Sequence, residues 1–144
     1  MGLKPELLEL EITENLLLTY FPHIMSVFKR LKGVGVKLAL DDFGAGYSSL
    51  AQVRQLPVDT LKIDRSIIDK IPGSKVDRAM VDAITVIGRA LGMAVIAEGV
   101  ETAEQFAYLR GTSCDLLQGF YFSMPLPPER AAALIGKKSP PQYS

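Results

Sequence analysis

The sequence predicts an α/β fold, a partial TIM-type (β/α) barrel of about five βα units, and three observations predict it. Strand-like apolar segments alternate with segments of helical period along the whole chain, the pattern of βα units on a parallel sheet. The early residues of each strand segment are apolar, as parallel strands covered on both faces should be. Each segment then closes on a group able to bind metal or to hydrogen-bond: Glu9, Glu11 and Glu14; Asp41 and Asp42; Lys62 and Asp64; Glu98; and Gln118. A parallel barrel accounts for that placement, because its outer face packs on helices while the C-terminal mouth gathers side chains from several strands.

The elements follow in order. Residues 7–13 form the first strand candidate, with Glu9, Glu11 and Thr13 on one face and Leu10 and Ile12 on the other. Ile24, Val27, Phe28 and Leu31 then recur at helical spacing, with Pro22 in the first turn and Gly33 as the stop. Residues 36–43 are the second strand, followed by a loop and a short helix near 48–55. Residues 60–64 are the third. Met80, Ile84, Ile87 and Leu91 trace one helix face that ends at Gly92. Residues 93–98 are the fourth strand, after which Thr102 and Gln105 have capping-box spacing at the start of a helix carrying Phe106 and Leu109. Residues 115–122 are a fifth strand and 128–135 a closing helix. The tail, 137–144, is expected to be disordered, so the folded unit is 1–136.

Composition excludes several classes of function. The 144 residues are 48% hydrophobic, enough for a globular core, and carry 16 basic against 16 acidic side chains. No basic excess exists to hold a nucleic-acid polymer. No apolar run approaches the roughly 18 residues of a membrane span, and the first residues lack the apolar core of a signal peptide. The single cysteine, Cys114, allows no internal disulfide and reads as an inert thiol. The cytoplasm is the expected compartment.

The strand-end carboxylates carry the chemistry. One Asp-Asp after a strand is usually a solvated loop, and one Lys-x-Asp usually a surface ion pair. Independent surface charges need not fall at the same end of successive strands, so the ensemble points to a site. Converging carboxylates repel one another, and an all-oxygen ligand set calls for magnesium or manganese rather than zinc. Asp42-Phe43-Gly44 has the form of the kinase magnesium motif, but no glycine-rich nucleotide loop accompanies it. Gly44-Ala45-Gly46 lacks the spacing of a phosphate cradle.

At these residues the chain resembles the EAL-domain phosphodiesterases, which hydrolyse the bacterial second messenger cyclic di-GMP. The resemblance rests on Leu10-Glu11-Ile12-Thr13-Glu14, Asp41-Asp42-Phe43-Gly44-Ala45-Gly46-Tyr47-Ser48-Ser49, Leu61-Lys62-Ile63-Asp64, Ala97-Glu98-Gly99-Val100-Glu101-Thr102, Gln118-Gly119-Phe120 and Phe122-Ser123-Met124-Pro125-Leu126. It implies that Glu11 and Asp41 are ligands of a first metal and that Asp41 bridges to a second, which Asp42 also holds. Glu98 resembles a residue that is either a general base or a contributor to the second metal. Lys62 matches the lysine near the attacking water and phosphate, and Asp64 and Gln118 match residues that order the metal and water network. Glu14 resembles the glutamate that steadies a mobile loop, here Phe43, Gly44, Ala45, Gly46, Tyr47, Ser48 and Ser49. The implied reaction is two-metal hydrolysis of cyclic di-GMP to pGpG.

The Glu-Ala-Leu signature of that family, and a further asparagine ligand, do not occur in this sequence. A complete barrel of this type takes about 250 residues and eight strands. The chain therefore reads as the C-terminal portion of such a domain with its first strands missing, weakly active or inactive alone. Open strand edges predict self-association, as a homodimer or higher, with exchanged elements. The alternative reading is a non-catalytic module that binds cyclic di-GMP or dimerises.

Overall fold

Among the described residues, five strands pair side by side in chain order and all run parallel: β1 (Glu9–Thr13), β2 (Lys37–Phe43), β3 (Thr60–Ile63), β4 (Ala94–Glu98) and β5 (Leu116–Gln118). The computed structural model describes residues 2–46 and 49–133, with the backbone alone over 18–23. The helices are α1 (Glu14–Val34), α2 (Leu50–Val53), α3 (Arg65–Ile68), α4 (Lys75–Ala90), α5 (Ala103–Arg110) and α6 (Pro128–Ala132). Parallel strands joined in sequential order by right-handed crossovers bring every crossover helix to the same face. The result is an arc of a (β/α) barrel, with β1 and β5 at its two edges.

The core lies between that helical face and the sheet. Leu38, Leu40, Leu61, Ile63, Val95 and Ala97 pack there with Leu17 and Phe28 of α1 and Val81 and Ile84 of α4, all buried. Burying each large aliphatic side chain contributes about 2 kcal/mol, so this layer dominates the stability. β3 is buried on both faces, which makes it the centre of the sheet.

Four boundaries differ from the sequence reading. A short 3-10 turn at Pro5–Leu7 occupies the start of the expected first strand, so β1 begins at Glu9. Helix α1 follows β1 directly at Glu14, which places Pro22 in its interior rather than its first turn. The stop is Gly35, not Gly33. Gly35 adopts φ 98°, a left-handed conformation open to glycine, and its amide reaches the Leu31 and Lys32 carbonyls. The fifth strand is short because Gly119 crosses the β4–α5 loop, where a Cβ would fall 2.1 Å from the Val100 oxygen. Tyr121 and Phe122 beyond it pack on Phe106 of α5, with the Tyr121 ring stacked at 4.9 Å. The expected tail, 137–144, and the last residues of the closing helix lie outside the described residues.

Carboxylates also tie down the opposite end of the sheet. Asp59 accepts from the Leu38 amide at 2.9 Å and pairs with Lys32 of α1 at 2.5 Å, while Asp115 accepts from the Val95 amide at 2.8 Å. Burial alone would raise the Asp59 pKa, but the Lys32 ammonium and the Leu38 amide outweigh it and hold the carboxyl below the usual range. A depressed folded value means the stabilisation is complete above the unfolded pKa of about 3.9 and is lost as pH falls through the lower folded value. Asp59→Ala is expected to cost about 1 kcal/mol at neutral pH, kept small by partial exposure, and the loss should vanish in strong acid. Urea midpoints measured against pH check both.

Candidate active site

In-register neighbours in a parallel sheet present their side chains to the same face. Thr13 pairs with Asp41, Lys62 with Ile96, and Glu98 with Gln118. On the face opposite the core helices, this brings Glu11, Asp41, Lys62, Glu98 and Gln118 toward the C-terminal ends of adjacent strands.

Lys62 is the hub. It sits on the central strand at 5% exposure, and such a charge stays buried only with partners. Its Nζ donates to Glu11, lies 2.8 Å from Glu98 Oε1 and 3.2 Å from Asp41 Oδ1. Burial by itself would lower the lysine pKa. The hydrogen bonds that the ammonium donates to Glu11, Glu98 and Asp41, with the Glu98 charge, overcome it and raise the value, so the ammonium stays protonated throughout the ordinary pH range. Burial pushes the Glu98 carboxyl upward despite the Lys62 charge beside it, and the Asp41 and Glu11 charges add to the rise.

The two adjacent aspartates serve different places. Neighbours in a plain strand face opposite ways, but the β2–β3 register slips between Leu40 and Phe43, and Asp42 takes φ 56°. This bulge breaks the alternation. Asp41 stays with Lys62, while Asp42 turns to a cavity of about 320 Å³ that it lines with Glu14, Gly46 and Asp64. Burial first, then the charges of Asp41 and Asp64, push the Asp42 carboxyl above the usual range. Asp64 also accepts from the Ser66 amide at 2.8 Å and so caps α3, a helix not anticipated from the sequence.

The start of the loop after β2, Ala45 and Gly46, lines this cavity. Glu14 Oε2 accepts from the Gly46 amide at 3.2 Å, and Ser49 caps α2 through the Ala51 amide. Phe43, the expected end of the second strand and by resemblance the start of the mobile loop, is the last residue of β2 and is buried in the core. Gly44 and Ala45 follow it; Tyr47 and Ser48 lie outside the described residues. Gln118 is exposed at the end of β5, in register with Glu98. Sequence reasoning gave no role to Arg65, whose Nη2 meets Glu101 at 2.8 Å beyond Glu98. Its position directly after Asp64 was the available signal. Cys114 is half-buried, and burial with the neighbouring Asp115 pushes its thiol up to about 11, so it stays protonated and unreactive.

Among the described residues, no three acidic, His or Cys side chains stand arranged to hold a metal ion; the carboxylates turn instead toward the ammonium. The donor set nonetheless fits a hard divalent cation. It is all oxygen and anionic, and three carboxylates already converge on one cationic atom. No helix among the described residues is long and apolar enough to cross a membrane.

Known proteins resemble this chain in sequence and in fold. Over 126 residues, 88% of this chain and 16% of the relative, the sequence is 48% identical to the cyclic di-GMP phosphodiesterase NbdA of Pseudomonas aeruginosa. Over 128 residues, 89% of this chain and 16% of the relative, it is 43% identical to the oxygen sensor protein DosP of Escherichia coli. The chain thus spans about a sixth of the length of these curated relatives. Its fold superposes on the PaMucR phosphodiesterase in complex with c-di-GMP with a TM-score of 0.85 at 40% identity, covering 90% of this chain and 52% of that one. The manganese and cyclic di-GMP complex of Klebsiella pneumoniae BlrP1 gives a TM-score of 0.81 at 40% identity, over 86% and 32% of the two chains. The profile of the family described as EAL domain matches residues 1–125. With that match, the parallel five-stranded arc and the acidic rim, the chain belongs to the EAL domain family.

Proposed function

We propose that this chain is part of an EAL domain that binds cyclic di-GMP at the rim of its sheet and hydrolyses one phosphodiester bond to give linear pGpG, the chain alone being weakly active or inactive. One observation carries the reading: carboxylates from three strands, Glu11, Asp41 and Glu98, meet at the Lys62 ammonium. Residues 1–136 would then be the C-terminal portion of an EAL domain, working in the cytoplasm. Glu11, Asp41 and Asp42 would hold divalent cations, magnesium or manganese, which when bound supply an activated water and charge screening at phosphorus.

The protein's own groups do the rest. The Lys62 ammonium, permanently protonated, donates to a non-bridging phosphate oxygen and stabilises charge growing there. Glu98, whose carboxyl burial lifts above the usual range, takes the proton of the attacking water as the new O–P bond forms and the P–O3′ bond breaks. The departing 3′ oxygen is protonated from solvent. Asp64 and Gln118 orient water on either side, and Glu14 steadies the loop through Gly46.

The half-exposed Glu11 carboxylate, 55% open on an edge strand, favours a second reading as a module that binds cyclic di-GMP without cleaving it. Chromatography of cyclic di-GMP incubated with the chain and manganese or magnesium, paired with calorimetry, separates the two. Metal-dependent pGpG supports hydrolysis. Binding without product supports the second reading, and no binding overturns both.

The edges of the arc further support self-association. Leu3, Leu7, Leu8, Leu10 and Leu16 lie exposed around β1, and Leu116, Phe120 and Met124 around β5. Pairing of these edges between copies would bury that surface. Light scattering is expected to give at least twice the monomer mass; a stable monomer at micromolar concentration contradicts it.

A further inference from the structure

Gln105, the third residue of α5, is 5% exposed and uses both ends of its amide. Its Oε1 accepts from the Glu101 amide at 2.7 Å and the Thr102 amide at 3.0 Å, while Thr102 Oγ1 accepts from the Gln105 amide at 3.2 Å. That half is a capping box, which asks only for an acceptor, so glutamate would serve equally. Nε2 points the other way and donates to the Ile68 carbonyl at 3.1 Å, in the interior. Helix capping does not call for this second bond, and only an amide can make it while capping.

The bond joins two segments that carry site residues. Ile68 closes α3, the helix capped by Asp64, and residues 99–102 run on directly from Glu98. The Arg65–Glu101 ion pair bridges the same two segments. On the other side, the Val100 amide donates to the Gln118 carbonyl at 3.0 Å and its carbonyl accepts from Tyr121 at 2.9 Å.

We propose that Gln105 is a positioning residue for the reaction assigned above: a buried amide latch that sets Glu98 against Asp64 and thereby fixes the shape of the acidic rim. The inference rests on that functional reading for its effect on turnover but not for its geometry. Three variants test it: Gln105→Glu keeps the cap acceptors and loses the donor, Gln105→Met loses both, and Thr102→Ala removes the reciprocal cap while leaving the latch.

The geometric readout is hydrogen exchange at the Ser66 amide, which donates to Asp64. Exchange there should quicken at least fivefold in both Gln105 variants and stay near wild type in Thr102→Ala. The kinetic readout is kcat for cyclic di-GMP, expected to fall at least tenfold with KM within twofold in the Gln105 variants, and less than threefold in Thr102→Ala. Ser66 exchange and kcat at wild-type levels in Gln105→Glu and Gln105→Met would overturn the latch. A wild-type chain with no turnover would sink the functional reading instead, and the Ser66 exchange would still decide the latch.

Discussion

Lys62→Met is expected to abolish turnover and to destabilise the chain by about 3 kcal/mol, the low end for removing one partner of a buried ion pair. The substitution leaves Glu11, Asp41 and Glu98 facing one another without the cation that now satisfies all three. The low end applies because Glu11 is half exposed and water screens it. The loss should depend on divalent cations. Manganese at about one hundred times its dissociation constant adds roughly 2.7 kcal/mol to any folded state that binds it, enough to restore most of the deficit. Urea unfolding of wild type and variant, with and without manganese, reads both effects; equal midpoints without metal would show that the ammonium is not the counter-ion of the cluster.

Glu98→Gln is expected to lower kcat by about 10²–10⁴-fold, the usual contribution of a positioned general base. The amide keeps the size of the side chain and can still accept from Lys62, so the fold should hold and KM should change little. Steady-state kinetics on cyclic di-GMP, with circular dichroism as the control for folding, checks the split. A variant that keeps wild-type kcat would remove Glu98 from the proton transfer.

The polar strand ends were legible because two periodicities agree in this chain. Alternation in β1 separates Glu9, Glu11 and Thr13 from Leu10 and Ile12, and the apolar runs that lead into Asp41 and Glu98 mark the polar ends of β2 and β4. Lys62 stood out with Asp64 as a polar strand end in the alternating Leu61-Lys62-Ile63-Asp64, whereas its place as the buried hub of a central strand shows only in the sheet order. What the sequence hid depends on contacts rather than pattern. Pro22 looks like a helix start by local preference, yet Leu17 and Phe28 bury on the sheet and α1 extends through it. The Asp42 bulge follows from a one-residue register slip against β3, which no single strand displays. Asp59 and Asp115 look like ordinary loop carboxylates until Leu38 and Val95 offer them amides across the chain. Gln105 shows only its capping half in sequence, because Ile68 lies 37 residues away.

The central claim is that side chains from separate strands meet at one buried ammonium. Nitrogen-edited NMR of the Lys62 side chain tests it most directly, since hydrogen-bonded ammonium protons shielded from water exchange slowly enough to be seen. The expected result is a distinct Lys62 ammonium resonance at neutral pH that shifts when Glu98 is replaced by glutamine. A Lys62 signal exchanging as fast as those of the surface lysines, and indifferent to Glu98, would contradict the account.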